Sequence, residues 1–314
     1  MARIAGEPSQ SSAHRTGSGA PQEMEKTMYA VMGITGQVGG AVARELLAQG
    51  KGVRAVVRDA DKGRAWSEQG CKVSLAEISD VRALTAAFTE VEGVFVMIPS
   101  LFDPAEGFPE VRAISATLHA GLLAARPPRV VCLSTVGAQV TRPNLLSQLG
   151  IMEKALGDLP LPIAFLRAAW FMENSAWDVA PARDKGVVPS FLQPLDHAVP
   201  MIATADIGRV AAALLQEDWT GRRVVELEAS RRYAAQDIAA AFTKILGRPI
   251  RMELVPRDGW ETLFRSQGAE NPMPRIQMLD GFNEGWIAFE GGAAESRKGE
   301  TALETVLREL VERG

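Results

Sequence analysis

Apolar residues follow two alternating rhythms along this chain: short unbroken runs, and longer stretches where they recur every three or four positions. The runs are Tyr29-Ala30-Val31-Met32, Val53-Arg54-Ala55-Val56-Val57, Lys72-Val73-Ser74-Leu75, Gly93-Val94-Phe95-Val96-Met97-Ile98, Arg129-Val130-Val131-Cys132-Leu133 and Ile163 to Leu166. Between them lie Val38, Val42 and Leu46; then Val81, Leu84 and Phe88, capped by Ser79 or Asp80; then stretches around Val111 to Ala125 and through Met152 to Leu156. Unbroken apolar runs bounded by turn residues fit strands covered on both faces, and the three-to-four spacing fits helices. Strict alternation of the two over about 140 residues predicts an α/β fold with a doubly wound parallel sheet, in strand order 3-2-1-4-5-6.

Beyond Arg167 the rhythm loosens. The predicted elements are a helix over Asp206 to Gln216, a strand over Val224 to Leu227, a helix over Asp237 to Leu246 closed by Gly247, and a last helix carrying Leu303, Val306, Leu307 and Leu310. The stretch from Pro256 to Phe289 is rich in Trp, Met, Phe and Pro. It reads either as a lid over a bulky apolar ligand or as the core of a small lobe. For any single one of Trp260, Met273, Met278, Phe282 and Trp286 the core reading weighs more.

Composition narrows the function. The chain has 314 residues, a net charge of −4 and two cysteines, Cys71 and Cys132. That balance gives no reason to expect nucleic acid or a membrane surface as partner, and two cysteines build neither a disulfide framework nor a metal site. No apolar stretch approaches the roughly eighteen residues of a membrane span. The expected location is the cytoplasm, and the expected assembly, if there is one, is a homodimer. Residues 1–27 are dominated by Ser, Gly, Gln and Pro, with no apolar core for a secretory signal. They read as a disordered, dispensable tail ahead of a folded part that begins near Met28.

The first run feeds into Gly33-Ile34-Thr35-Gly36-Gln37-Val38-Gly39-Gly40, and a helix leaves it. Glycines at 33, 36 and 39 allow a tight turn, close approach of a pyrophosphate to the backbone, and close packing of helix on strand, the phosphate resting on the helix N-terminus. Gly33, Thr35, Gly36, Gln37, Val38 and Gly39 are therefore candidate dinucleotide contacts on a Rossmann fold. Cofactor choice is written at the end of the second strand. An NAD site usually places an acid about twenty residues past the glycines. This chain has Arg58, with Lys62 and Arg64 behind it. A cation fits the additional phosphate of NADP and cannot accept a hydrogen bond from a ribose hydroxyl, so NADP(H) is expected over NAD(H), although Asp59 next door leaves NAD open. Glu77, Ile98, Pro99 and Ser134, at or just past the ends of strands three to five, complete the candidate cofactor contacts. The expected division places the dinucleotide-binding part at 28–168. The remainder, 169–314, reads mostly as a smaller α/β substrate lobe, with some elements returning to the first part.

With these motifs on the page, the chain resembles the NmrA-like branch of the atypical short-chain dehydrogenases/reductases. The residues that carry the resemblance are Gly33 to Gly39, Val56-Val57-Arg58, Leu133-Ser134-Thr135-Val136-Gly137, Met152-Glu153-Lys154, Leu166-Arg167 through Asn174, and Lys298 through Leu307. The resemblance implies one of two things. Either the chain is an NADPH-dependent reductase of quinones, azo compounds or triphenylmethane dyes, or it is a regulator that binds NAD(P) and acts through a protein partner.

Short-chain dehydrogenases typically deliver a proton from the tyrosine of a Tyr-x-x-x-Lys motif. Lys154 is similar to that lysine, yet Gly150 stands four residues earlier, and the only tyrosines are Tyr29 and Tyr233. This argues against alcohol–ketone chemistry by the usual route. A quinone or dye accepts hydride into a delocalised system and can take its proton from water, so the protein need only hold the nicotinamide against a flat acceptor. Lys154, Thr135 and Asn174 are the candidate catalytic residues: the resemblance suggests Lys154 for the nicotinamide ribose, Thr135 and Ser134 lie at a strand end where a hydroxyl could orient a carbonyl, and Asn174 could donate to a substrate oxygen. Each has a plain alternative, as a surface lysine, a loop cap and a helix cap. Trp170, Phe171, Asn174, Met278, Phe282 and Trp286 are the candidate pocket for an aromatic small molecule. His197 is a lesser candidate for an acid, and His119 and His14 read as uninvolved. The leading expectation is an NADPH-dependent reductase of a planar apolar acceptor, and the alternative is a non-catalytic redox sensor. A methyltransferase would also use a glycine-rich first turn, and Arg58 argues against it.

Overall fold

The computed structural model describes Ala2 and residues 27–314; the rest of the expected N-terminal tail, with His14, lies outside the described residues. The first half alternates as the hydrophobic rhythm requires. Its elements are β1 (Met28–Met32), α1 (Gln37–Ala48), β2 (Gly52–Val57), α2 (Ala60–Glu68), β3 (Lys72–Leu75), α3 (Val81–Phe88), β4 (Gly93–Val96), α4 (Pro109–Ala125), β5 (Val130–Thr135), α5 (Ser147–Leu156) and β6 (Ile163–Ala168). Then come β7 (Trp170–Phe171), α6 (Ala176–Lys185), β8 (Val187–Ser190), β9 (Met201–Ile202), α7 (Thr204–Leu214), β10 (Arg222–Ala229), α8 (Ala235–Leu246), β11 (Arg251–Leu254), α9 (Trp260–Ser266), α10 (Met273–Asn283), α11 (Gly292–Glu295), β12 (Arg297–Gly299) and α12 (Leu303–Arg313). Local chemistry sets the ends: Asp59 caps α2, Asp80 rather than Ser79 caps α3, and Gly247 closes α8 in the left-handed region.

Eight parallel strands form the sheet, in order β12-β10-β6-β5-β4-β1-β2-β3. The first six strands take the expected order 3-2-1-4-5-6. The sheet then continues past β6 through β10, the strand read from Val224 to Leu227, and ends on the short β12. Because all strands run the same way, the strand ends that carry the glycine turn, Arg58, Pro99 and Thr135 share one edge.

Both faces of the sheet are covered. One core layer packs Val31, Phe95, Val131 and Leu166 under α1 and α7; the other packs Val94, Cys132 and Phe165 under α3, α4 and α5. Helices α1 and α7 approach at backbone distance, since a Cβ on Gly208 would stand 2.7 Å from the carbonyl carbon of Ala41. A third, small cluster of Trp260, Phe264, Ile276 and Leu279 fills the space between α9 and α10. There Trp260 is fully buried with its indole N–H donated to Val255 O, while Met273 stays exposed, so the aromatic stretch divides between core and surface.

Candidate functional site

The three glycines of the first turn do three different things. Gly33 adopts φ +64°, a left-handed conformation, and a Cβ there would run into the Met97 side chain. Gly39 sits one turn into α1, where a Cβ would lie 2.7 Å from the Met32 carbonyl oxygen, so its bareness lets helix and strand touch. Gly36 is different. It donates to Gly33 O at 2.9 Å, opens α1 at φ −94°, lies exposed, and a Cβ there would meet only Gly33 O, at 3.3 Å. The N-terminus of α1 has no side-chain cap and no acid in its first turn. Thr35 and Gln37 are exposed beside it, with Val38 turned into the core. Amide N–H groups without a side-chain cap and the helix dipole leave a partial positive charge at this opening.

At the end of β2, Arg58 and Lys62 are exposed and have no ion-pair partner among the described residues, whereas Arg64 pairs with Asp61 at 2.5 Å. Asp59 uses Oδ1 to accept from the Asp61 amide at 2.8 Å, as the cap of α2. The chain past β3 stays beside this edge, because Ala76 N donates to Val57 O at 2.9 Å; Glu77 follows, exposed. At the end of β4, Ile98 is buried and Pro99 exposed.

At the end of β5 the structure reveals a network that the sequence reading did not single out. Ser134 is buried and donates its hydroxyl to Glu153 Oε1 at 2.5 Å. Arg167, at 5% exposure, grips the same carboxylate with Nε at 2.9 Å and a terminal nitrogen at 2.7 Å, and reaches Glu290 at 2.8 Å with its other nitrogen. Glu226 of β10 lies 3.7 Å from the guanidinium and accepts from the amides of Glu290 and Gly291. Burial alone would lower the Arg167 pKa; the bonds and charges of Glu153 and Glu290 outweigh it and hold the guanidinium protonated above its usual range. Gln139 adds a bond to Ala288 O at 2.8 Å, and Ile287 sits where a Cβ on Gly137 would go. Residues 287–291 are thereby pinned onto the ends of β5, β6 and β10. The signal available in sequence was Glu226 between Val225 and Leu227 in β10, and Glu153 beside Lys154.

This pinning sets where the other candidates stand. Thr135, half-buried, keeps a hydroxyl with no partner among the described residues, whereas the hydroxyl of Ser134 is committed to Glu153. Lys154 is exposed on α5. Gly150, one turn before it, has no room for a side chain, since a Cβ would lie 2.5 Å from the Ala138 carbonyl oxygen. Both tyrosines are buried, Tyr29 within β1 and Tyr233 under Arg231, 4.1 Å from its ring. Trp170 meets Phe282 edge to face at 5.1 Å, and Trp170 and Met278 both pack against the Trp260 cluster. Trp286 folds back over Gly281 under the Arg142 guanidinium, 4.6 Å from its ring. Phe171 is half-buried in β7, paired with Ile202. Asn174 is exposed in the short 3-10 turn after β7, a turn that packs on α12. His197 sets its Nε2 3.2 Å from Phe282 O. Among the described residues no group of His, Cys, Asp and Glu could hold a metal ion, and no helix is long and apolar enough to cross a membrane.

A doubly wound parallel sheet with a glycine turn and an uncapped helix at its ligand edge defines a Rossmann-type α/β protein. Comparison with known proteins narrows the class. The model of the NmrA-like family matches residues 25–284, and the chain belongs to that family. It is 26% identical over 261 residues to the NAD(P)H azoreductase of Xenophilus azovorans, covering 82% of this chain and 85% of that one. It is 26% identical over 244 residues to quinone oxidoreductase 2 of Escherichia coli, covering 77% and 82%. The crystal structure of an Escherichia coli NADPH-dependent quinone oxidoreductase complexed with NADPH has the same fold, with a TM-score of 0.74 at 22% identity over 91% of this chain and 99% of that one.

Proposed function

We propose that the protein is an NADPH-dependent oxidoreductase that passes hydride to a planar conjugated acceptor of the quinone or azo class, with the acceptor's proton drawn from water. The observation that carries this reading is at Gly150: the place of the usual proton-donating tyrosine is filled by the Ala138 backbone, and both tyrosines are buried elsewhere. A site with a dinucleotide opening and no strong acid suits acceptors that delocalise the incoming electron pair. The names of the relatives point the same way.

In this reading the α1 N-terminus holds the pyrophosphate and Gly36 lets it approach. Arg58 and Lys62, unpaired at the end of β2, take the additional phosphate and favour NADPH over NADH. When bound, the cofactor supplies the hydride. Thr135 then orients the acceptor's oxygen or nitrogen, Lys154 takes the nicotinamide ribose, and Trp170, Met278 and Phe282 present an apolar wall. Arg167 does none of these directly; it fixes residues 287–291 over the end of β5 through Glu153, Glu226 and Glu290. The test is cofactor oxidation by purified protein across quinones, azo dyes and triphenylmethane dyes, with NADPH and NADH in parallel and both affinities measured directly. Saturable turnover that favours NADPH supports the reading. Tight NADPH binding with no turnover anywhere in the panel overturns it in favour of a redox sensor.

A further inference from the structure

Arg275 carries a charge that no acid among the described residues pairs with. It stands half-buried on α10 with its guanidinium 4.2 Å from the Phe264 ring, and among the described residues it has neither an ion-pair partner nor a side-chain hydrogen bond. Burial pushes its pKa down, with no acid opposing. Nearby arginines of the same region are satisfied: Arg257 holds both oxygens of Asp280, at 2.6 and 2.7 Å, and Arg265 holds Glu261 at 2.9 Å. A half-buried cation without a counter-charge is costly to keep unless something outside the chain supplies that charge.

The surroundings indicate what that is. Arg275 opens into a pocket of about 250 Å³ walled by Phe102, Asp103, Phe264, Gln267 and Pro272. Asp103 keeps its own negative charge on the same pocket, yet among the described residues it forms no ion pair with Arg275; its two oxygens accept from the amides of Asn271 and Glu270, at 2.7 and 2.8 Å. Those bonds, with Asn271 Nδ2 donating to Pro104 O at 2.7 Å, fasten the two walls together. The outer wall is the loop that leaves β4 at Pro99, on the sheet edge that carries the glycine turn, and on it Phe102 holds a large aromatic ring 66% exposed.

We propose that this pocket is an anion subsite for the hydride acceptor: Arg275 receives a carboxylate or sulfonate borne by an aromatic acceptor, and Phe102 covers the adjoining ring. The inference rests on the hydride-transfer reading and narrows it to acidic planar acceptors. A planar guanidinium already held against an aromatic face is pre-organised for a bidentate oxyanion.

The experiment compares naphthoquinone with naphthoquinone sulfonate on wild-type protein, Arg275→Gln and Arg275→Lys. It measures NADPH-dependent KM, and Kd of each quinone by equilibrium dialysis with oxidised cofactor present. The wild type should prefer the sulfonate in both, and the preference should weaken as salt is raised. In Arg275→Gln the preference should collapse by about 10- to 100-fold, the size of one charged hydrogen-bonded contact, and Arg275→Lys should restore part of it. A preference unchanged by Arg275→Gln overturns the subsite. If neither quinone is reduced, the hydride reading fails, and the dialysis values still decide the subsite by themselves. Should the variants not fold, wild-type protein that binds the sulfonate no more tightly than the neutral quinone overturns it.

Discussion

Two glycines three residues apart in the first turn should respond to substitution in opposite ways, and the contrast isolates ligand binding from folding. At Gly36 the backbone is in an ordinary extended region and a Cβ meets only one carbonyl oxygen, at 3.3 Å. Gly36→Val should therefore cost the fold no more than about 1 kcal/mol, the order of a changed helix N-cap. The bound pyrophosphate, however, would face isopropyl where it needs open backbone. Losing two charged hydrogen bonds of about 1.5–3 kcal/mol each should raise the Kd for NADPH by roughly 10²- to 10⁴-fold. At Gly39 a Cβ meets the Met32 carbonyl oxygen at 2.7 Å and that of Gly33 closer still. Gly39→Ala must push α1 off β1, an overpacking cost of about 1–3 kcal/mol or more, felt as lost stability. Isothermal titration with NADPH and thermal unfolding of both variants make the comparison. Wild-type affinity in Gly36→Val would refute the pyrophosphate site, and a Tm loss in Gly36→Val as large as that in Gly39→Ala would refute the division of labour.

Other expectations follow from the same geometry. Arg58→Asp should move the ratio of NADH to NADPH affinity toward NADH by about 10- to 100-fold, and an unmoved ratio in titrations of both cofactors would assign the phosphate to another cation. Arg167→Met leaves Glu153 and Glu226 buried without their counter-charge; a cost of about 3–5 kcal/mol should lower Tm by roughly 10 °C, and a drop under about 2 °C would show that residues 287–291 are held some other way. Burial pushes the Asp178 carboxyl up to about 7, against a bond from Ser175, while an unfolded aspartate titrates near 3.8. Between those values the folded state holds the proton more firmly, so stability falls as pH rises from about 4 to about 7 and levels off above. Asp178→Asn should flatten that slope and gain up to about 2 kcal/mol over wild type at pH 8, read from urea unfolding; parallel pH profiles would contradict it.

Much of the fold was legible because it is local. The unbroken run Gly93 to Ile98 and the four-residue spacing of Val38, Val42 and Leu46 reflect burial that each segment imposes on itself, and the glycine turn is a local backbone requirement. What escaped is long-range. Ser134 looked available for a ligand because nothing in Leu133 to Gly137 indicates that Glu153, nineteen residues on, accepts a hydrogen bond from its hydroxyl. Arg167 was visible as part of a motif, but its partners at 226 and 290 come from strands and turns that meet only when β10 joins the sheet. The aromatic stretch was ambiguous for the same reason: Trp260 faces inward and Met273 outward although polar and charged residues flank both in the sequence. Arg275 could not be noticed at all from sequence, since an unpaired cation is defined by the acids that fail to reach it.

Hydride transfer without a protein acid can be followed in a single turnover. Protein loaded with NADPH, or with NADPH deuterated at the transferred position, is mixed with a quinone across a range of pH while nicotinamide absorbance is followed. The expected result is a saturable loss of absorbance, slowed by deuterium, with a hydride-transfer rate that is flat between about pH 6 and 9. No oxidation despite full NADPH occupancy, or a rate that titrates with one ionisable group of the protein, would contradict it.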